Sequence, residues 1–280
     1  MDDSSKIIQQ LPASLSESGV AQLYVIKIGG NVIDDEKSLS SFLGDLATIQ
    51  GKKILVHGGG KIATKIGEQL GIAPNYVNGR RITDAATIDL VTMVYGGLVN
   101  KKMVAGLQSK GCNAIGLTGA DANIIPAVKR PVKEIDYGFV GDIVEAGLAP
   151  ALELFLENNL TPVFAPLTHD GKGQVLNTNA DTIASSLAAA LSKKYTVRLI
   201  YCFEKKGVLE NVEDENSVIA LITKDIYKYL FDQKKLFDGI LPKIDNAFAA
   251  IDNGVQEVII GDAKDLLLNT GDRIAGTMIK

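Results

Sequence analysis

From residue 23 onward, short apolar runs alternate with longer stretches in which apolar residues recur every three or four positions. The short runs predict strands and the longer stretches predict helices. Several short runs are apolar throughout, which is typical of strands buried on both faces of a parallel sheet. The predicted strands are 23–28, 53–57, 114–118, 162–165, 197–202 and 256–260, and the predicted helices are 37–49, 61–70, 84–96, 98–110, 147–158, 180–192, 223–231 and 242–253.

This alternation predicts an α/β fold in which helices wrap a largely parallel sheet. Two regions depart from it. Residues 122–145 contain short β-rich pieces joined by turns, which predict a β-hairpin flap. Residues 203–217 carry seven charged side chains around Gly207, which predict a solvated loop. Residues 1–20 are small and polar, and we expect them to form an N-terminal appendage.

Two of the predicted strands stop on consecutive glycines. Residues 24–30 read YVIKIGG, and residues 54–60 read ILVHGGG. Consecutive glycines expose backbone N–H groups that can hold an anion, especially where a helix begins just beyond them. Each cluster alone is also explained by a tight turn between a strand and a helix. Together with Lys27, the pair favours a reaction in which a phosphoryl group passes between two anionic partners.

The formal net charge of the chain is −4. Without a global basic field we expect no binding to nucleic acid or to an anionic membrane, so local cations must neutralise an anionic substrate. Cys112 and Cys202 lie in apolar stretches without metal-ligand spacing, which predicts reduced core residues of a cytoplasmic protein and no metal site. No apolar segment predicts a signal peptide or a membrane span.

Two arginines precede the predicted helix 84–96. The guanidinium groups of Arg80 and Arg81 are suited to binding a carboxylate, and Thr83 or Asp84 is suited to cap the helix. The alternative is a solvated loop with two surface arginines. The common nucleotide signatures GxxxxGK[ST] and GxGxxG are absent, so other groups must hold the phosphates of any nucleotide.

Three polar side chains, Asn177, Asn179 and Asp181, occupy alternate positions before an alanine-rich predicted helix. Asn179 or Asp181 could act as a helix cap alone, but one cap does not require three polar groups. The functional interpretation places Asn177 against a substrate and Asp181 beside a lysine. Lys243 lies in the first turn of another predicted helix, where its charge opposes the helix dipole, which suggests a functional reason for it.

With these features the chain resembles the amino acid kinase family, and most closely its acetylglutamate branch. The resemblance extends from about residue 23 to residue 280. It implies a three-layer αβα sandwich with a central, mainly parallel sheet and a β-hairpin flap. The segments that carry it are KIGGN (27–31), VHGGG (56–60), NGRRIT (78–83), GFVGDI (138–143), NTNAD (177–181), DGILPK (238–243) and GTMI (276–279).

The resemblance implies ATP-dependent phosphorylation of the side-chain carboxylate of N-acetyl-L-glutamate, the second step of arginine biosynthesis. Lys27 and Lys243 match the lysines that stabilise the transition state, and Asp181 matches the aspartate that organises them. Gly29 and Gly30 match the phosphate-binding turn. The acceptor-binding matches are Gly59, Gly60, Arg81 and Asn177. The nucleotide-binding matches are Glu204, Lys205, Lys206, Gly207, Val208, Leu209 and Asp238.

The chemistry needs positioning and positive charge more than covalent help from the protein. A carboxylate acceptor is already ionised at neutral pH, so no general base is required, and His57 is expected to be structural. Magnesium would arrive with the ATP, bound to its phosphates. We expect one continuous kinase domain, with an acceptor-substrate lobe at 21–175 and a nucleotide-binding lobe at 176–280.

Two departures from the family pattern bear on the nucleotide contacts and on the choice of acceptor. The nucleotide loop reads Phe203-Glu204 where the family has Thr-Asp or Ser-Asp, and residues 118–121 read TGAD in place of Ser-Gly-Lys-Asp. The second departure lies close to the flap, so N-succinyl-L-glutamate is an alternative acceptor. The competing functions are an amino acid kinase for glutamate or carbamate, a catalytically weak sensor of an amino acid or nucleotide, and a dinucleotide-binding oxidoreductase.

The expected partner is a second copy of the chain. We expect a homodimer built partly by residues 84–110. Arginine-inhibited members of the family carry an extra N-terminal helix that links dimers into hexamers. Residues 1–20 are a comparable appendage, so arginine as an effector stays an open prediction.

Overall fold

The computed structural model describes residues 20–77, 79–144, 150–211, 213–233, 235–236 and 240–280. The appendage expected at residues 1–20 therefore lies, except for Val20, outside the described residues. The strands are β1 (Gln22–Ile28), β2 (Lys52–His57), β3 (Tyr76–Val77), β4 (Arg80–Arg81), β5 (Ala114–Leu117), β6 (Ala127–Lys129), β7 (Gly141–Ile143), β8 (Thr161–Phe164), β9 (Leu167–His169), β10 (Val175–Asn177), β11 (Thr196–Phe203), β12 (Leu221–Ile222), β13 (Glu257–Asp262) and β14 (Thr277–Ile279).

The helices are α1 (Gly30–Asp34), α2 (Glu36–Thr48), α3 (Gly60–Gln69), α4 (Ala85–Val91), α5 (Asn100–Gln108), α6 (Pro150–Glu157), α7 (Ala180–Leu191), α8 (Lys224–Asp232), α9 (Leu241–Asp252) and α10 (Leu266–Thr270). Except for the five-residue helices α1 and α10, which were not predicted, the helices match predicted ones, with boundaries that mostly agree to within a few residues. A π-helix at Thr92–Val99 joins α4 to α5, so the break predicted near residue 97 is wrong. In the part of the chain that the structure describes, no helix has the length and apolarity to cross a membrane.

An eight-stranded sheet runs in the order β12-β14-β13-β11-β1-β2-β8-β5. Its neighbouring strands are parallel except for β13 and β14, which are antiparallel. The predicted, mainly parallel sheet is therefore confirmed. The edge strand β12 and its neighbour β14 were not predicted, because two or three residues are too few to show a strand pattern.

Helices cover both faces of this sheet. Leu23 and Val25 of β1 pack in one core with apolar residues of α6, α7 and α9. Ile26 and Ile28 of the same strand pack in a second core with residues of α2, α3, α4, α5 and α10. Successive side chains of a strand point to opposite faces, so the uninterrupted apolar run of β1 serves both layers. The result is the three-layer sandwich that the resemblance implied.

The two irregular regions differ in outcome. β6 and β7 pair as an antiparallel hairpin, which confirms the flap predicted at 122–145. The loop predicted at 203–217 is not solvated throughout, because Val208 and Leu209 are buried. The Val208 N–H donates to Thr277 Oγ1 at 2.8 Å, and Leu209 forms a β-bridge with Val218. Because charged residues surround Val208 and Leu209 in the sequence, the pattern did not predict that these two residues are buried.

Candidate active site

The two glycine turns lie side by side at one edge of the sheet. β1 and β2 are adjacent and parallel, with Ile28 opposite His57 in the register. Parallel strands are about 4.8 Å apart, so the glycines that follow them emerge as neighbours. The Lys61 Nζ atom donates to Asn31 Oδ1 and so connects the segments beyond the two turns. Two anion-binding turns at this spacing suit two anionic groups that react with each other.

The Gly29–Gly30 turn is held against β11 by its backbone. The Gly29 N–H donates to the carbonyl oxygen of Cys202 at 2.8 Å. A Cβ atom at Gly29 would lie 3.3 Å from that oxygen, which leaves little room for any side chain. Cys202 itself is buried, and burial raises the pKa of its thiol to about 12, so it is an inert core residue.

Lys27 and Asp181 form an ion pair beside this turn. Lys27 Nζ lies 2.7 Å from Asp181 Oδ1, and the two side chains are 14% and 16% exposed. Asp181 lies in the first turn of α7, where the helix dipole stabilises a carboxylate, while Asn179 caps that helix by accepting from the Thr182 N–H. The buried Asp181 Oδ1 accepts no well-aligned hydrogen bond from the described residues, so the contact with Lys27 is electrostatic.

Lys243 lies on the same side of the sheet as this ion pair. It occupies the first turn of α9, which packs against α7. Its ammonium group lies 6.0 Å from the centre of the Phe203 ring at the end of β11. Within the described residues Lys243 has no acidic partner, so its charge is available to an anion.

Side chains enclose the Gly59–Gly60 turn. Gly59 has φ +155°, which side-chain-bearing residues rarely adopt, and a Cβ atom there would lie 2.9 Å from the Tyr95 ring. Tyr95 comes from the π-helix and is buried. α3 begins at Gly60, and the Ala63 N–H donates to the Gly59 carbonyl. The first backbone N–H groups of α3 are thus directed at the edge of the sheet.

Arg81 lies against this second turn and is only 8% exposed. Its Nη2 atom donates to the carbonyl oxygen of Gly60 at 3.0 Å and to Thr64 Oγ1 at 2.6 Å, and it contacts the Tyr76 hydroxyl. Within the described residues Arg81 has no acidic partner. A buried guanidinium without a counter-ion is costly, so this site favours binding of an anion.

Asn177 joins the Arg81 strand to the flap. Its Nδ2 atom donates to Thr83 Oγ1 at 3.0 Å, and its backbone N–H donates to the Phe139 carbonyl oxygen. The structure therefore brings Gly59, Gly60, Arg81 and Asn177 into one region. It also adds Thr83, which the sequence analysis considered only as a cap for α4. Asp84 is that cap, accepting from the Thr87 N–H.

The predicted nucleotide residues lie beyond the end of β11. Glu204, Lys205 and Lys206 are in an irregular loop, whereas Gly207, Val208 and Leu209 are buried, so contact with a ligand there would come from the backbone. Glu210 and Lys235 form an ion pair of 2.7 Å that joins this loop to the segment after α8. Asp238 lies outside the described residues.

Two tyrosines near the acceptor turn, Tyr76 and Tyr95, were missed by the sequence analysis. Tyr76 lies in the two-residue strand β3, and the Arg81 guanidinium is stacked 4.8 Å from the centre of its ring. Tyr95 was assigned to a helix with no role. No sequence motif marks either one, because both contacts depend on how distant elements pack.

Known proteins resemble this chain over most of its length. The model of the "Amino acid kinase family" matches residues 22–262. The acetylglutamate kinase of Phocaeicola vulgatus is 54% identical over 92% of this chain and 98% of its own length, and that of Cytophaga hutchinsonii is 55% identical over 92% and 98%. Similarity at this level over nearly the whole of both proteins identifies the family.

Solved structures agree on the fold. The structure of smu.665 from Streptococcus mutans has a TM-score of 0.72, is 29% identical, and covers 92% of this chain and 98% of its own. N-acetylglutamate synthase from Neisseria gonorrhoeae has a TM-score of 0.77 at 20% identity, and this chain covers 59% of it. Matched over most of its length in both sequence and fold, the chain belongs to the amino acid kinase family.

Proposed function

We propose that this chain transfers the γ-phosphoryl group of ATP to the side-chain carboxylate of N-acetyl-L-glutamate, giving N-acetylglutamyl 5-phosphate in arginine biosynthesis. The observation that carries the proposal is the placement of two glycine turns on adjacent parallel strands, with Lys27 preceding the first turn and Arg81 lying against the second. The similarity to proteins named acetylglutamate kinase supports the choice of acceptor.

On the acceptor side, the proposed ligand is an N-acylated glutamate. The hydrogen bonds of Arg81 to the described residues come from Nη2, which leaves its other N–H groups for the α-carboxylate of the substrate. Asn177 binds polar groups beside it. The N–H groups of Gly59 and Gly60 bind the side-chain carboxylate that receives the phosphoryl group. The acceptor is thus held at both ends.

On the phosphoryl side, charge stabilisation is the main contribution of the protein. The Gly29 N–H holds the turn against the Cys202 carbonyl oxygen, and the Gly30 N–H binds the transferred group. Lys27 lies on the acceptor side of that group and Lys243 on the ATP side. Asp181 holds Lys27 in place through the 2.7 Å ion pair. No step requires a general base, because a glutamate carboxylate with an ordinary pKa of about 4.3 is ionised at neutral pH.

ATP is proposed to bind beyond β11 through Glu204, Lys205, Lys206, Gly207, Val208, Leu209 and Asp238. Magnesium is proposed to arrive with the nucleotide, bound to its phosphates, as it commonly does at sites that bind nucleotides. When bound, the ion neutralises charge on the β- and γ-phosphates. The residues of the protein then supply position and the two lysine charges.

One observation favours N-succinyl-L-glutamate as a second acceptor. Residues of β4 and of the flap line a cavity of about 670 Å³. Arg80, Arg130 and Lys133 line it, and Asp142 neutralises only Arg130, at 2.6 Å, while Glu134 faces the remaining charges. The cations in excess suit a second carboxylate on the acyl group. This acceptor therefore belongs in the same assay.

The proposed function is tested by trapping acyl phosphate with hydroxylamine. Purified protein is incubated with Mg²⁺-ATP and with N-acetyl-L-glutamate, N-succinyl-L-glutamate or unmodified L-glutamate. We expect product with an N-acylated acceptor and little with L-glutamate. Absence of turnover on all three would contradict a kinase for glutamate derivatives and would favour a small-molecule sensor.

A homodimer is part of the proposal. Met93 and Leu98, on the π-helix between α4 and α5, are 57% and 38% exposed, which is consistent with a surface covered by a second copy. Light scattering of the wild type and of Leu98→Glu tests this. We expect the mass of a dimer for the wild type and the mass of a monomer for the variant. An unchanged mass in the variant would contradict an interface built by residues 84–110. Arginine as an effector stays a prediction.

A further inference from the structure

We propose that His57 and Asn100 form a positioning pair that fixes the direction of the Gly58–Gly59 peptide and so aims the Gly59 N–H at the acceptor carboxylate. The inference rests on the proposed function for its consequence, but the pair itself is defined by the hydrogen bonds of the folded chain. Neither residue is among the predicted site residues.

The pair is buried behind the acceptor turn. His57 is the last residue of β2 and is 0% exposed, and Asn100 is the first residue of α5 and is 1% exposed. The Asn100 Nδ2 atom lies 3.1 Å from His57 Nε2 and 2.9 Å from the carbonyl oxygen of Val163 on β8. The Lys101 ammonium group lies 3.1 Å from Asn100 Oδ1. The imidazole therefore contacts a fully paired amide.

The orientation of the Asn100 amide follows from its partners. A lysine ammonium can only donate, so the atom next to Lys101 must be the amide oxygen. The Val163 carbonyl can only accept, so the atom next to it must be the amide nitrogen. Both requirements agree, and they direct the second Nδ2 hydrogen at His57.

The tautomer of His57 follows in turn. Because Asn100 Nδ2 donates, His57 Nε2 must accept, and the proton of the neutral imidazole lies on Nδ1. That nitrogen is 2.6 Å from the carbonyl oxygen of Gly58, to which it donates. Burial lowers the pKa of His57 to about 4, with a contribution from Lys101, so the ring is neutral at physiological pH.

The Gly58 carbonyl determines where the Gly59 N–H points. In a trans peptide the C=O and N–H bonds are antiparallel, so a carbonyl held back on His57 sends the N–H outward. Flanking glycines make a peptide easy to flip, because neither carries a Cβ atom to oppose it. Among the described residues no group accepts from the Gly59 N–H, which leaves it for a ligand. The hydrogen bond from His57 thus selects the productive direction.

The π-helix explains how one segment supplies both Tyr95 and Asn100 to this turn. The Asn100 N–H donates to the Tyr95 carbonyl, five residues back. At 3.6 residues per turn, α-helical geometry would rotate residues five apart well away from each other. The wider π-helical turn returns them to nearly the same side, with Tyr95 against Gly59 and Asn100 against His57.

The first test reads the tautomer directly and needs no substrate. The chain has two histidines, so a two-bond ¹H–¹⁵N spectrum of histidine-labelled protein contains two rings. His169 is an internal control of opposite type, because its Nδ1 accepts from the Gly171 N–H at 3.1 Å and its Nε2 faces Asn123 Oδ1 at 2.9 Å. We expect His57 protonated on Nδ1 and His169 on Nε2. A His57 ring protonated on Nε2 would overturn the pair.

The second test compares two substitutions at the same buried position. In His57→Asn the side-chain amide can take the place of Nδ1 and still donate to the Gly58 carbonyl. In His57→Gln it reaches the Nε2 position and loses that donor. Loss of one oxyanion donor typically lowers kcat about 10²–10³-fold. We expect kcat/KM for the acceptor to fall at least about tenfold further in the Gln variant, with KM for ATP alike in both.

A merely structural role would give a different result. Asn leaves the larger space, so a role in packing alone would lower the thermal midpoint and activity of the Asn variant at least as much as those of the Gln variant. Equal losses in the two variants would overturn the positioning role. Full activity in both variants would also overturn it. If the wild-type protein phosphorylates no acceptor, the proposed function fails, while the tautomer measurement still decides whether the pair exists.

Discussion

The two glycine turns leave adjacent strands at the same edge, yet the protein holds them by different means. The Gly59–Gly60 turn is enclosed by buried side chains of three elements, His57, Tyr95 and Arg81. The Gly29–Gly30 turn is held chiefly by a backbone hydrogen bond to Cys202. The difference shows that the proposed acceptor turn is preorganised by replaceable side chains, whereas the proposed phosphoryl turn depends on the backbone and on nearby lysines.

The largest effect is expected from the lysines on the phosphoryl side. Lys27→Ala and Lys243→Ala each remove a charge that acts on the transition state, so kcat should fall about 10²–10³-fold. ATP affinity should change far less, as measured by titration calorimetry beside steady-state kinetics. Lys224→Ala, which breaks an exposed ion pair with Asp252, is the matched control. Equal losses of kcat and ATP affinity would assign these lysines to ground-state binding.

Acidification should lower the stability of the folded protein through His57, which lies behind the acceptor turn. In the unfolded chain this imidazole takes up a proton below its ordinary pKa of 6.5, but in the folded protein only near pH 4. As the pH falls between these two pKa values, the unfolded chain binds a proton that the folded protein does not. The free energy of unfolding therefore falls by about 3 kcal/mol, at 1.36 kcal/mol per pKa unit. Urea unfolding at pH 7 and pH 4 should show this loss in the wild type and a smaller one in His57→Asn. The same pH dependence in both proteins would refute the buried neutral ring.

Arg81→Lys tests whether the guanidinium group of Arg81 binds the acceptor. A lysine keeps the charge but lacks the fork that contacts Gly60, Thr64 and the substrate together. A hydrogen bond to a charged group contributes about 1.5–3 kcal/mol, so KM for the acceptor should rise about 10–100-fold. KM for ATP should stay within about twofold of the wild type. A parallel rise in both constants would break the proposed division between the turns.

The smallest expected effect is on stability, when one glycine of each turn is replaced by alanine. Gly59→Ala places a Cβ atom 2.9 Å from Tyr95 at φ +155°, which should cost about 1–3 kcal/mol of stability. Gly30→Ala meets nothing within 4 Å and has no such φ, and alanine favours the helix that begins there. Thermal unfolding should show a lower midpoint for the first variant alone. Equal midpoints would mean that Tyr95 can move away.

The sequence predicted the central strands, the flanking helices and the flap, because each has a pattern visible within a few residues. Among the site residues it also predicted that Asp181 approaches a lysine, and Lys27 is that partner. It did not predict the π-helix, Tyr76, Tyr95 or the pairing of His57 with Asn100. Those contacts join residues far apart in the chain, or depend on a helical register that no local periodicity reveals.

If the two turns bind different ligands, backbone amide NMR will distinguish them. The amide signals of Gly29, Gly30, Gly59 and Gly60 are followed while N-acetyl-L-glutamate or a non-hydrolysable ATP analogue with Mg²⁺ is added separately. We expect the acceptor alone to shift the signals of Gly59 and Gly60, and the nucleotide alone to shift those of Gly29 and Gly30. A single ligand that shifts both pairs equally, or a reversed assignment, would contradict this expectation.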